Sequence, residues 1–211
     1  AEDEHDGNTA IGYYALNAQD AGADAYNVAI GFEAGKLVST GAENVLIGGN
    51  AGVAMTTGIR NTAIGHAALQ NEDTHGRNVA VGNRALQSLN AGAEGNNTAV
   101  GYYAGQSMTT GVNNTLIGSL TGGVLTIGNQ NTALGVNALG ASVDGDSNTA
   151  IGFEALLVYE GGDGEGGNTG VGKGAGAAVS TGENNTLLGH LAGDALTTGS
   201  ANIVIGKEGA A

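Results

Sequence analysis

Polar and apolar positions follow a fixed beat along this chain. An Asn is followed by a β-branched residue, then a small residue or Leu, then an aliphatic residue, then Gly. The copies start at Asn8, Asn27, Asn44, Asn61, Asn78, Asn97, Asn114, Asn131, Asn148, Asn168, Asn185 and Asn202. The second position is Thr in eight copies, Val at 28, 45 and 79, and Ile at 203. The fourth is always Ile, Val or Leu. Three alternating, β-rich residues closed by Gly predict a short strand that ends where the backbone bends or is closely approached. Self-similarity at so short a period predicts a parallel β-solenoid with one rung per copy.

Numbering each rung from its Asn, the spacing runs 19, 17, 17, 17, then 19, 17, 17, 17, then 20, 17, 17. Position 9 keeps the same longer beat: Leu16, Gly35, Gly52, Leu69; Leu86, Gly105, Gly122, Leu139; Leu156, Gly176, Gly193, Ala210. Position 3 agrees, with Leu46, Leu116 and Leu187 in the third member of each group. The chain therefore divides into an acidic lead-in, 1–7, and one solenoid domain, 8–211, built of three four-rung blocks: 8–77, 78–147 and 148–211.

Alternation puts positions 2 and 4 on one face of the strand and position 3 on the other. The strictly aliphatic position 4 is expected in the rung interior, with position 3 facing a second, half-buried environment. The Asn column is expected to stack as a ladder, each side chain bonding the turn of the neighbouring rung. Position 8, Ala in ten of twelve rungs, implies tight contact with a neighbour. A second short strand or turn follows, as in Lys36-Leu37-Val38-Ser39, and ends in Thr-Gly turn signals such as Thr57-Gly58. At about 4.8 Å per rung, twelve rungs predict a rod roughly 55–60 Å long. So small a rung has little interior, and small cores are marginal. This predicts self-association, as a homotrimer of parallel rolls.

Composition changes little of this picture but narrows the partners. Forty-one Gly would suggest disorder if unpatterned, yet here they are in phase with aliphatic residues. The formal net charge is −14, from 20 acidic and 6 basic residues. That disfavours nucleic acid and anionic membranes, whose binding draws on Lys and Arg. No apolar run is long enough to insert in a membrane as a helix, and no signal peptide is visible. The absence of Cys permits an oxidising, extracellular setting. A start without Met and a stop inside a repeat predict a piece of a longer chain.

Candidate chemistry is sparse. Gly167-x-x-x-x-Gly172-Lys173 begins like a phosphate loop, but Gly174 stands where the magnesium-binding Ser or Thr belongs. No bound cofactor is expected, calcium being the one candidate: Asp163 and Glu165 lie in a Gly-rich turn, and Asp144 and Asp146 form a second such pair. The competing reading is a solvated loop. The acidic start, Asp3, Glu4, His5 and Asp6, reads as a frayed terminus. The four His share no repeat column except His66 and His190, both at position 6, and exposure is their default reading. The Asn-Asn-Thr sequons at 96, 113 and 184 are by-products of the repeat. Where copies differ, at positions 6 and 7, aromatic and acidic residues concentrate: Tyr13, Tyr14, Phe32, Glu33, Tyr102, Tyr103, Phe153 and Glu154. These either contact a sugar or protein partner, or seal the gap between rungs or protomers.

The unit Asn-(Thr/Val)-(Ala/Leu)-Ile-Gly-x-x-Ala, clearest at 27–34 and 148–155, resembles the Ser-Val-Ala-Ile-Gly-x-x-Ala unit of trimeric autotransporter adhesin heads. It is equally similar to the Asn-Thr-Ala-Ile-Gly repeats of phage tail-fibre proteins. The resemblance covers the chain from residue 8. It implies a left-handed parallel β-roll assembled as a trimer, extracellular, on a virion tail fibre or a bacterial surface, binding a host-cell protein or glycan. The 17-residue rung and the four-rung blocks depart from the adhesin pattern and favour the fibre branch. The expectation is a structural and adhesive fibre segment, not an enzyme: the acidic residues sit mostly in turns, not as facing carboxylate pairs. The alternative is a monomeric ice-binding or surface-binding solenoid, suggested by the Thr column. Against it, Thr-x-Thr pairs are absent because position 4 is aliphatic.

Overall fold

The computed structural model describes residues 7–20, 22, 24–92, 94–161 and 166–208. They form an all-β parallel solenoid. Its strands are β1 Thr9–Ile11, β2 Val28–Ile30, β3 Val45–Ile47, β4 Thr62–Ile64, β5 Val79–Val81, β6 Thr98–Val100, β7 Thr115–Ile117, β8 Thr132–Leu134, β9 Thr149–Ile151, β10 Thr169–Val171, β11 Thr186–Leu188 and β12 Ile203–Ile205. They pair in sequence order into one twelve-stranded sheet, each repeat position facing its own copy in the next rung. Eleven inter-strand steps at about 4.8 Å make this sheet roughly 53 Å long. Among the described residues the second segment of each rung holds no strand, only turns, bends and one isolated bridge between Asp146 and Gly166, so the strands of the pentapeptide form the whole sheet.

The interior is the reverse of the expectation. Position 3 points inward: Ala29, Leu46, Ala63, Ala80, Ala99, Leu116, Ala133, Ala150 and Leu187 are fully buried. Position 4 points outward, with Ile11 at 59%, Leu188 at 46% and Ile117 at 36% exposure. The reason lies one residue upstream. Asn at position 1 is buried as the ladder partner, and a strand's alternation puts position 3 on the same side as position 1. The rest of the core is mainly Ala at position 8, the leucines of position 9 and the position-12 column, which includes Val38, Met55, Leu89, Met108, Leu125, Tyr159 and Val179.

The Asn ladder forms as expected. Asn44 N–H donates to Asn27 Oδ1 at 2.9 Å, and Asn44 Nδ2 donates to Gly58 O at 2.8 Å, in the turn leading to the next rung. The pattern recurs through Asn114 and Asn131 to Asn202. Such a side chain satisfies two buried backbone groups, an N–H and a carbonyl, that would otherwise lack partners.

The rung closes through backbone conformations that L-residues seldom adopt. Positive φ recurs at position 7 (Tyr14, Glu33, Arg84), at position 9 (Leu69, Leu86, Leu139) and just before each Asn (Glu43, Arg60, Gln130). Gly at position 5 has φ between +130° and +146°, and a Cβ at Gly48 would stand 2.5 Å from Gly65 O. Only Gly allows that approach at that angle.

The four-rung beat is a packing solution. The side chain of Leu46 occupies the space above two glycines: its Cδ1 is 2.6 Å from where a Cβ on Gly35 would be, and its Cδ2 2.8 Å from one on Gly52. Leu116 does the same for Gly105 and Gly122, and Leu187 for Gly176 and Gly193. Where position 9 is Leu, that side chain fills the centre instead, as Leu69, Leu86 and Leu139 do. No rung carries Leu at both positions 3 and 9, so the centre is filled once, beside the side chains of position 12, as close packing requires.

Two buried polar residues, Glu72 and Ser142, break the position-12 column, and Glu72 is the ionisable one. Glu72 takes a place that Met55 and Leu89 hold in the adjoining rungs, and it is fully buried. Its Oε1 accepts from the His75 N–H at 3.1 Å and lies 3.3 Å from His75 Nδ1, while Oε2 makes no hydrogen bond. Burial holds this carboxyl above the usual glutamate range; the His75 N–H and imidazole, and more weakly the Ala91 N–H, oppose that. A raised carboxyl pKa means the folded state holds its proton more tightly than the unfolded chain. Stability is therefore lost as pH rises from the ordinary value of 4.5 through the raised one. Glu72→Met should stabilise the fold at pH 8 by about 1–3 kcal/mol, the cost of an unpaired buried oxygen. The gap between the two denaturation midpoints should be smaller at pH 4 than at pH 8; a constant gap at both would show that ionisation plays no part.

Candidate functional site

Three surfaces carry the residues singled out by sequence. The first is the corner after each strand, at positions 6 and 7. Gly at position 5 turns the chain, and the position-7 N–H donates to the position-6 carbonyl of the preceding rung, as Glu33 does to Tyr13 at 2.8 Å and Tyr103 to Asn83 at 3.0 Å. The corner is thus one column in strict register. Tyr13, Tyr14, Phe32, Tyr102 and Phe153 are exposed on it, Tyr13 at 61%. Glu33 and Tyr103 are half-buried, and Glu154 is beside Phe153.

The exposed rings lie on the outer side of the rungs. Tyr13 and Phe32 stack with centroids 5.6 Å apart and planes at 13°. Lys36 Nζ stands 5.4 Å from the Tyr14 ring centre and pairs with Glu33 at 2.9 Å. Arg84 lies 5.5 Å from the Tyr103 ring and donates to its hydroxyl at 3.0 Å. Lys173 lies 5.9 Å from Phe153. The sequence reading named the rings but missed these cations, which belong to the neighbouring rung. Only the register brings residues some 20 apart together.

The second surface is the turn column holding Asp144 and Asp146. With Thr110, Ile127 and Asn129 they line a shallow concavity of about 260 Å³. Both carboxylates are tied to the preceding rung. Asp144 Oδ1 accepts from Thr126 Oγ1 at 3.0 Å, and Asp146 Oδ1 accepts from the Asn129 N–H at 2.5 Å. Glu160, one rung on, accepts from the Val143 N–H at 3.2 Å, and burial with the nearby Asp144 charge raises its pKa. Among the described residues no group of three metal-capable side chains comes together. Asp163 and Glu165, the other candidate calcium pair, lie outside the described residues.

The third surface went unrecognised in the sequence because position 4 was expected inside. Positions 2 and 4 form two parallel outward columns on the sheet, one mostly Thr, the other wholly Ile, Val or Leu. Parity with the buried Asn is the signal that would have found it. Among the described residues, no helix is long and apolar enough to cross a membrane.

No protein-family model, no curated protein and no solved structure matches this chain.

Proposed function

We propose that this chain is a structural and adhesive segment of an extracellular fibre, three copies of which pack through their sheet faces. One observation carries the reading: an uncovered aliphatic column runs from Ile11 through Ile64, Ile117 and Leu134 to Ile205. A stripe of this length is far larger than the scattered apolar residues of an ordinary monomer surface, and such patches mark interfaces. A second copy of the same column is its natural cover, since the two match in spacing and chemistry. Each chain's own interior is small, so burial between copies would supply the stability that a thin roll lacks. The resemblance to adhesin heads and tail fibres points the same way, towards a rod that presents or joins in binding a host-cell surface protein or glycan. The acidic surface keeps such a rod soluble and away from nucleic acid.

Light scattering coupled to size exclusion should give three times the chain mass, and Ile117→Lys with Ile64→Lys should drive the protein to monomer. A wild-type monomer that stays folded would overturn the reading. A second reading draws on the same face: its Thr column, at about 4.8 Å spacing and interrupted by Val or Ile in four rungs, would order water or ice on a monomer. Thermal hysteresis in a monomeric preparation would establish that alternative.

A further inference from the structure

We infer that the corner column is a receptor for a neutral polysaccharide, contacted once per four-rung block along the fibre. The inference rests on the fibre reading for its setting, and it uses the corner rather than the sheet face assigned to assembly. Each block places at least one exposed ring and one cation on its first two rungs. In the first block these are Tyr13, Phe32 and Lys36; in the second Arg84 and Tyr102; in the third Phe153 and Lys173. The remaining rungs of each block have no aromatic residue at positions 6 and 7. Because the corner is in hydrogen-bonded register, Phe32 and Tyr102 lie four rungs apart, roughly 19 Å, and Tyr102 and Phe153 three rungs apart, roughly 14 Å, at the spacing of parallel strands.

The chemistry fits a pyranose chain. An exposed aromatic face takes the C–H face of a sugar ring, with the polar edge left to hydrogen bonds. Lys36, Arg84 and Lys173 donate to hydroxyls, and Glu33 and Glu154 accept from them. Three of the six basic residues in the chain stand here, offset by those two carboxylates, so the corner is close to neutral. A net charge of −14 opposes an acidic glycan. An extended neutral chain can reach successive platforms, so weak single contacts combine into useful avidity.

Affinity electrophoresis with a β-glucan, a galactomannan and a xylan, beside a polyuronate, tests this. At least one neutral polymer should retard the protein and the polyuronate should not. The triple variant Tyr13→Ala, Tyr102→Ala, Phe153→Ala should weaken binding by at least about a hundredfold for a long chain, as loss of linked contacts requires. A short oligosaccharide should bind wild type with three sites per chain and Tyr102→Ala with two. The chain has no Trp, and four of its six Tyr stand on the corner, so ligand should also perturb wild-type tyrosine emission. Absence of retardation by every neutral polymer, preference for the polyuronate, or wild-type binding by the triple variant would each overturn the inference. The oligomeric state is read separately, so a binding monomer would sink the fibre reading alone.

Discussion

Asn114→Asp is expected to be the most damaging conservative substitution in this protein, costing about 3–5 kcal/mol as an uncompensated buried charge. Asn114 is almost wholly inaccessible and works on both sides of its rung. Its Nδ2 donates to Gly128 O at 2.8 Å, and its Oδ1 accepts from the Asn131 N–H at 3.0 Å. Aspartate keeps the second bond. It loses the first and turns a negative oxygen towards the Gly128 carbonyl. The damage should also have a shape. Solenoid rungs touch only their neighbours, so a failed seventh rung separates six rungs on one side from five on the other. Unfolding followed by circular dichroism should change from one transition to two, and hydrogen exchange should rise first around residues 112–131. Wild-type stability in Asn114→Asp would mean that the ladder is a consequence of stacking rather than a cause.

Leu116→Ala should cost about 2–5 kcal/mol, because it empties the centre of two layers at once. The fully buried Leu116 side chain covers both Gly105 and Gly122. The informative variant is the exchange, Leu116→Ala with Gly122→Leu. Gly122 has φ +53°, close to the +49° at which Leu86 and Leu139 already stand in the same column, and the nearest atoms to a Cβ there are those of Leu116. Gly122→Leu alone should destabilise by overpacking. In the double variant the two losses should partly cancel, with a coupling of about 1–3 kcal/mol in a double-mutant cycle. Additive losses would show that the Leu, Gly, Gly, Leu beat does not arise from volume in the core.

The block structure was legible because that packing rule is written in two columns of the sequence. Leu46, Leu116 and Leu187 occur only where position 9 is Gly in their own rung and the one before. The aromatic residues of the corner were legible as departures from a repeat. Their partners were not: Lys36 reaches the Tyr14 ring from the next rung, and Arg84 reaches Tyr103 across 19 residues. Glu72 was likewise hidden. By composition it is one acidic residue of 20, and only its place in the position-12 column makes it a buried one.

What the sequence determined by itself was the architecture: parallel rungs, their number, their register and the Asn ladder. Each follows from residues that repeat in phase, since identical rungs stack only with identical positions facing. What the tertiary structure alone decided was which face of the strand is inside. Positions 3 and 4 are both apolar, so hydrophobicity could not choose between them. The choice was made by closure of the rung. The left-handed turns at positions 7, 9 and 17 fold the chain back on the side where the Asn side chains bond, and that encloses position 3. The Ile, Val and Leu of position 4 are thereby left facing outward. That single reversal moves the most regular apolar column of the chain from its core to its surface.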